Sequence, residues 1–473
     1  MSVDFTSKYL MTIDGQLTDS SHHFDVINPA TEALVARAPS SSRDQLNVAV
    51  AAARRAFPKW AQTKLTERQA LVRAIGEALL ESQEPFSQLL TREQGKTLEY
   101  ARWEIAGSAA WFTEFAKIEP IETIVEDSPE HLVKIRHVPI GVAGAIVPWN
   151  FPVLMAVWKL APALIAGNTV VLKPSPFTPL TGLKLGELIS QILPPGVVNV
   201  VTGGDELGPW ISSHPDIDKV AFTGSTETGR RVMESGSRNI KRLTLELGGN
   251  DAAIVLPDVD IDDAAQKLFW GAFSNSGQFC VAIKRLFIHE SIYDELSKAI
   301  VDYARTVKVG DGAAEGSQLG PIQNAAQFGR LKSLLADIHT NGQKVLLGGE
   351  VSDGQGYFFP LTIVDNPPDD SRIVSEEQFG PILPLLKYRT IDEAVERANA
   401  STHGLGGSVW GKDLRQAEAV ANRLQAGIVW INEIHVVTPY TPFGGHKQSG
   451  LGVENGSDGL HEYTNAQTLS IRR

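Results

Sequence analysis

The chain has 473 residues, 42% of them hydrophobic and 21% charged, with a formal net charge of −12 and one cysteine. That length suits two or three compact units with sizeable cores. The acidic balance and the lack of a dense Lys or Arg block argue against a nucleic-acid groove, and one cysteine excludes an internal disulfide.

The first twenty residues, MSVDFTSKYLMTIDGQLTDS, carry no basic start followed by an apolar core, so no secretion signal is expected there. No uninterrupted apolar run approaches the ~20 residues a membrane helix needs. The expected setting is the cytoplasm, with no membrane or nucleic-acid partner. Residues 44–90 are rich in Ala, Leu, Glu and Arg, and VAVAAARRAFPKW and RQALVRAIGEALLE place apolar side chains at helical spacing. LVKIRHVPIG (132–141) alternates apolar and basic residues, the pattern of a strand with one wet face.

From Gly141 onward, short Val- and Ile-rich runs alternate with helical stretches. GVAGAIV, NTVVLK, GVVNVV and KVAF are separated by LMAVWKLAPALIAG, PLTGLKLGELISQIL and ELGPWISSH. Strands that are apolar throughout, joined by helices, predict a parallel sheet covered on both faces. A second series begins at AAIVL near Ala252 and runs through RLFIH, KVLLGG, ILPLLKY, GGSVWG and AGIVWIN. Two α/β domains are therefore expected, with a boundary near Gly248–Asp251. The closing EYTNAQTLSIRR reads as a further strand outside the core.

Four stretches could carry chemistry. In KVAFTGSTETGRRVM a strand runs into Thr-Gly-Ser-Thr and a helix. The bare N–H groups of that helix start, with the Ser225 and Thr226 hydroxyls, could hold an anion, or Ser225 could simply cap the helix. No G-x-G-x-x-G is present. LTLELGGND places Glu246 among leucines at a strand end; burial there would raise its pKa toward the range of a general base, whereas an exposed strand-end Glu would do nothing. In VPWNFP, Asn150 offers an amide donor suited to an oxyanion, or to its own turn. NSGQFC holds the lone Cys280. Gly277 permits close backbone approach, Asn275 and Gln278 supply polar contacts, and a helix following the turn would lower the thiol pKa. The carboxylates of DVDIDDAA fit a helix start better than a metal site, and His22 and His23 lack further ligands.

Taken in order, VPWNFP, KPS, FTGSTETG, LELGGND, NSGQFC, EEQFGPI and PFGGHKQSG resemble the NAD(P)-dependent aldehyde dehydrogenase superfamily, over about residues 28–470. The resemblance implies an α/β fold with a Rossmann-like cofactor domain (1–120 and 140–248), an α/β catalytic domain (249–446) and a β-strand oligomerisation arm (121–139 and 447–473). It implies a homodimer or homotetramer. It also implies oxidation of an aldehyde to the carboxylic acid through a cysteine thiohemiacetal and thioester. Cys280 resembles the nucleophile, Glu246 the base and Asn150 the oxyanion donor acting with the Cys280 N–H. Lys173 resembles the adenosine-ribose contact, Ser225 the pyrophosphate contact and Glu377 the nicotinamide-ribose contact, with Phe379 beside it. The same resemblance places Val147, Pro148 and Trp149 at the cofactor, together with Ser175, Pro176 and Gly204. Phe222, Thr223, Gly224 and Thr228 join them, as do Leu247 and Gly248.

Two departures bear on specificity. NAD-preferring relatives often carry Glu three residues after the lysine, where this chain has Pro176, so NAD is the expected cofactor and NADP the alternative. Val453 stands where Arg is common, which removes an ion pair expected near a subunit interface. The residues the resemblance assigns to the substrate tunnel are Phe151, Leu154, Met155 and Trp158, then Phe273, Phe279 and Phe443. Relatives acting on carboxylate-bearing semialdehydes usually place Arg at the position of Trp158, and a buried unpaired carboxylate is costly. An apolar substrate, medium-chain aliphatic or aromatic, is therefore expected. The rival readings are a coenzyme-A-acylating relative, which usually lacks the carboxylate found at Glu246, and a noncatalytic protein that retains the fold.

Overall fold

The Val- and Ile-rich runs after Gly141 pair with one another in the computed structural model, which describes residues 3–473. Strands Val142–Ile146, Thr169–Lys173, Val198–Val200, Lys219–Thr223 and Arg242–Glu246 are parallel. They are buried along their length, apart from the first two residues of the last one. Their spatial order is 198–200, 169–173, 142–146, 219–223, 242–246. The chain thus steps outward on one side of Val142–Ile146 and then restarts on the other. In an open parallel sheet, that reversal leaves a crevice beyond the carboxyl ends of the two central strands. Antiparallel edges complete eight strands: Met11–Ile13 with Gln16–Thr18 on one side, and Gly450–Leu451 against Arg242–Glu246 on the other.

Helix Pro152–Ala166 leaves the crevice directly after Val142–Ile146. Pro152 occupies its first turn, Gly167 ends it at φ 95°, and every residue between is buried. A helix apolar on all sides belongs inside, and this one packs against helix Leu98–Phe115.

The second series forms a seven-stranded sheet in the order 345–347, 362–365, 382–388, 283–289, 251–255, 406–410, 428–431, parallel except for its first strand. Strands Thr123–Asp127, His131–Pro139 and Thr464–Arg472 form a separate antiparallel sheet, with Thr464 opposite Pro139 and Arg472 opposite His131. It carries exposed apolar side chains, Ile124 at 58% and Val125 at 61%. Among the described residues, no helix is long and apolar enough to cross a membrane.

One local expectation fails. No helix follows Cys280; strand Ile283–His289 begins three residues later. The run Val-Ala-Ile-Lys-Arg-Leu-Phe-Ile enters the centre of the second sheet, so pairing on both sides dictates its conformation.

Candidate active site

Two cavities meet at Cys280. A cleft of about 200 Å³ lies at the carboxyl ends of the first sheet, and a tunnel of about 280 Å³ runs beside helix Pro152–Ala166. Cys280 and Met155 line both. The thiol is therefore partly accessible rather than sealed in the core.

The turn that presents Cys280 is wound against the usual backbone preference. Asn275, Ser276 and Gly277 take φ values of 51°, 56° and 70° in succession. Two non-glycine residues in the left-handed region cost energy and persist only when their surroundings hold them. Ser276 Oγ donates to Gly320 O at 2.7 Å, Gln278 Nε2 donates to Asn275 O at 2.9 Å, and Gln323 N donates to Gln278 Oε1 at 2.8 Å. Gly277 has no substitute here, because a Cβ would run into the Gly380 carbonyl.

Asn150 sits at the floor of the cleft, 5% exposed. Its Nδ2 donates to Gln278 O at 3.1 Å, and its own carbonyl accepts from Lys96 Nζ at 2.9 Å and Asn275 Nδ2 at 3.3 Å. One amide proton stays free. Among the described residues the Cys280 N–H has no acceptor either. Two donors are thus held beside one thiol.

Glu246 ends its strand, in register with Thr223, and lines the same cleft. It is 2% exposed, and neither carboxylate oxygen has a partner. Burial, then the nearby Glu454 carboxylate, pushes its pKa well above the usual range, while Lys159 pulls it back. Lys159 is itself buried, 2.6 Å from Glu454 Oε1 and 2.6 Å from Thr223 Oγ1. Burial and the Glu246 charge likewise raise the Cys280 thiol, and Lys284 opposes them. A lowered thiol pKa was expected from a following helix; without that helix, desolvation wins.

The remaining expected residues divide into groups. Pro148, Trp149, Thr223, Gly224, Ser225, Leu247, Gly248, Glu377 and Phe379 line the cleft with Asn150. Trp149 and Phe379 meet edge to face at 5.3 Å. Glu377 accepts from Gly249 N at 3.1 Å and lies 3.3 Å from Lys284 Nζ. Ser225 caps helix Thr226–Gly236 by accepting from Thr228 N. Lys173 ends the neighbouring strand, Ser175 and Pro176 follow it, and Gly204 follows the next. Lys173 is 6% exposed, and burial pushes its pKa down to about 8. Val147 and Phe222 pack into the core behind the cleft.

Phe151, Leu154, Met155, Trp158, Phe279 and Phe443 line the tunnel. Phe273 does not. It is 1% exposed and packs on Phe269 at 4.8 Å in the core beside the seven-stranded sheet, because both lie on the buried face of helix Ile261–Phe273. Sequence reasoning missed Trp103, Trp111 and His435 in the tunnel, and Lys284 and Lys159 beneath the cleft. Lys159 had left a signal, a lone cation inside an otherwise apolar helix, and Lys284 a weaker one, a cation beside Arg285 in a strand that is otherwise mostly apolar.

The arrangement fits a dinucleotide. The crevice lies at the reversal of strand order, a helix N-terminus opens on it, and Gly248 brings the backbone close to the Glu377 carboxylate, which a side chain there would have to displace.

The family model described as the aldehyde dehydrogenase family matches residues 17–469. An aldehyde dehydrogenase of a Fusarium species is 39% identical over 471 residues, covering 99% of this chain and 100% of its own. Among solved structures, a variant of an aldehyde dehydrogenase from Bacillus cereus superposes with a TM-score of 0.96 at 37% identity, covering 99% of this chain and 97% of its own. The betaine aldehyde dehydrogenase of Staphylococcus aureus in complex with NAD+ superposes at 0.94 with 34% identity, covering 98% and 94%.

Proposed function

On the premise that this chain belongs to the aldehyde dehydrogenase family and is an NAD-dependent enzyme acting on small aldehydes, we propose that its substrate is an apolar aldehyde, medium-chain aliphatic or aromatic, oxidised to the free acid. The observation that carries this reading is the junction at Cys280, where a polar cleft holding Glu246 and Asn150 meets a tunnel lined by aromatic rings.

Cys280 Sγ attacks the carbonyl carbon of an aldehyde seated in the tunnel. A C–S bond forms, and Glu246 takes the thiol proton. The free Asn150 amide proton and the Cys280 N–H hold the developing oxyanion, where one such donor is worth roughly 3–4 kcal/mol. NAD, when bound in the cleft, supplies the acceptor for the hydride that leaves this carbon. Glu377 and the N-terminus of Thr226–Gly236 would hold the cofactor, and Lys173 would serve its adenosine ribose. Glu246 passes that first proton to solvent and then draws a proton from water, which attacks the thioester; the C–S bond breaks, the acid leaves, and Glu246 returns its proton to the departing thiolate. A carboxylate at this position supports hydrolysis over transfer to coenzyme A.

The chain divides, in this reading, into a cofactor domain, a catalytic domain and the three-stranded arm. The arm's exposed Ile124 and Val125 support its pairing with another subunit.

One observation favours a second substrate reading. Glu114 stands at the outer end of the tunnel, its carboxyl held below the usual range by Lys117 and Tyr440. Anionic substrates meet repulsion there, whereas a cation-bearing aldehyde meets a carboxylate and aromatic faces. The deciding experiment compares kcat/KM for octanal, benzaldehyde, acetaldehyde, betaine aldehyde and succinic semialdehyde, with the acid product identified in the absence of coenzyme A. Highest efficiency with octanal or benzaldehyde is expected; preference for succinic semialdehyde overturns the apolar reading, and preference for betaine aldehyde installs the second.

A further inference from the structure

The tunnel is apolar except at a few points, and those points are nearly all committed. Glu104 is ion-paired with Lys96 and accepts the Val153 and Leu154 N–H groups. Glu114 is bonded to Lys117 and Tyr440. His435 differs from both.

His435 projects from the loop after strand Ile428–Ile431, with φ 64°, and Asn432 in the same loop has φ 56°. The loop is tied on both flanks. Asn432 exchanges two hydrogen bonds with the Gly411 backbone, at 2.9 and 2.8 Å, and Trp430 Nε1 donates to Val436 O at 2.9 Å. The imidazole lies against the Phe279 ring at 4.4 Å, and its Nε2 is 3.2 Å from the Val281 carbonyl. A carbonyl only accepts, so Nε2 carries the proton. Burial pushes the His435 pKa down to about 4, so the ring is neutral near pH 7 and Nδ1 is a bare acceptor. Among the described residues, Nδ1 has no hydrogen-bond partner and is not one of the sealed polar atoms, and His435 lines the tunnel.

We infer that His435 is a specificity residue, whose Nδ1 accepts a hydrogen bond from a hydroxyl group carried on the otherwise apolar body of the aldehyde. The inference rests on the apolar-aldehyde reading and narrows it to hydroxylated members of that class. A rigid acceptor at one point of an apolar wall fixes orientation without excluding the unsubstituted molecule. The same ring, bonded to Val281, steadies the peptide that follows Cys280, so a purely structural role must be separated from a recognition role.

The experiment measures kcat/KM for the three hydroxybenzaldehydes against the methylbenzaldehydes of matching position, and for ω-hydroxyalkanals against alkanals of equal length. Wild type, H435F and H435N are compared. Phe fills the site without an acceptor; Asn tolerates the left-handed backbone and can both donate to Val281 O and accept from the substrate. In the wild type, at least one hydroxylated substrate is expected to exceed its methyl or alkyl partner by about tenfold, the worth of one net hydrogen bond. That preference should vanish in H435F and return in H435N. No preference in the wild type, or a preference that survives in H435F, overturns the assignment. Equal loss for both members of each pair in H435F, not restored by H435N, assigns the residue to loop support alone and overturns it too. Failure of every aromatic and aliphatic pair overturns the apolar-substrate reading, and this inference with it.

Discussion

Lys284 Nζ reaches back four residues to donate to the carbonyl of Cys280. The lysine side chain is 2% exposed, and it also bonds Phe279 O at 3.1 Å and lies 3.3 Å from Glu377 Oε1. One buried cation thus joins the Cys280 turn to the carboxylate expected at the cofactor, and it is the one nearby charge that lowers the thiol pKa against burial and three acids. Replacing Lys284 by Met should raise the Cys280 pKa. Because the chain has no other cysteine, iodoacetamide reports on this thiol without interference. Alkylation at a fixed pH near 8 is expected to slow by about tenfold for each unit of added pKa. A faster reaction would mean that Lys284 does not stabilise the thiolate.

Gly277 is the point where the turn cannot accept a side chain. At φ 70° and facing the Gly380 carbonyl, an Ala must displace one strand of the turn. A shift near 1 Å at the reacting centre can cost roughly 100-fold in rate. G277A should therefore lose kcat by about that factor while still binding NADH, as read by fluorescence titration. Unchanged kcat would show that the left-handed turn does not position the sulfur.

Glu246 must be ionised to act as a base, and its raised pKa places an acid limb on turnover wherever hydrolysis of the thioester is limiting. Rate rises with pH through that pKa. Glu454 is the charged neighbour that raises it most, so E454Q, which keeps a polar group facing Lys159, should move the limb to lower pH. A pH profile of kcat for the two proteins reads the shift; a limb that moves upward or stays in place contradicts the assignment of base.

The cofactor preference has its own test. Pro176 leaves no carboxylate where NAD-preferring relatives often have one, yet Asp205 and Glu206 follow the adjacent strand and act electrostatically on Lys173. Neither is ion-paired among the described residues. With the adenosine ribose beside Lys173, as proposed, added negative charge at its 2′ position would meet both. NADH should bind at least about tenfold tighter than NADPH at low salt, since like-charge juxtaposition is costly. The gap should narrow at high salt, and in a D205N/E206Q variant. Equal affinities in the wild type would remove these acids from the selection.

The parallel strands are legible in the sequence because a strand buried on both faces must be apolar throughout, and GVAGAIV, NTVVLK and AAIVL are. The proposed catalytic trio is reached for a different reason: the motifs around Asn150, Glu246 and Cys280 resemble a known family. Their geometry is not legible in the sequence. Whether Glu246 is buried depends on pairing with Thr223 and with Gly450, the latter far along the chain. Phe273 falls outside the tunnel because helix register, not proximity to Cys280, decides which ring faces it. His435 is far in sequence from helix Leu98–Phe115, which carries Trp103 and Trp111, and only tertiary packing brings them to one tunnel. Lys159 and Lys284 stand out as charges in apolar runs, and their partners come from other elements of the fold.

The most direct measurement is intact-protein mass spectrometry of the E246Q variant incubated with NAD and octanal, followed by peptide mapping. With the base removed, solvent must take the thiol proton, so attack on the aldehyde slows, and hydrolysis should stall after one turnover. The expected result is one equivalent of NADH per subunit and a single octanoyl group mapped to Cys280, absent from the Cys280→Ala protein, which should bind NADH yet oxidise no aldehyde. Continued aldehyde oxidation by Cys280→Ala, or an octanoyl group on any other residue, would contradict the role given to this sulfur.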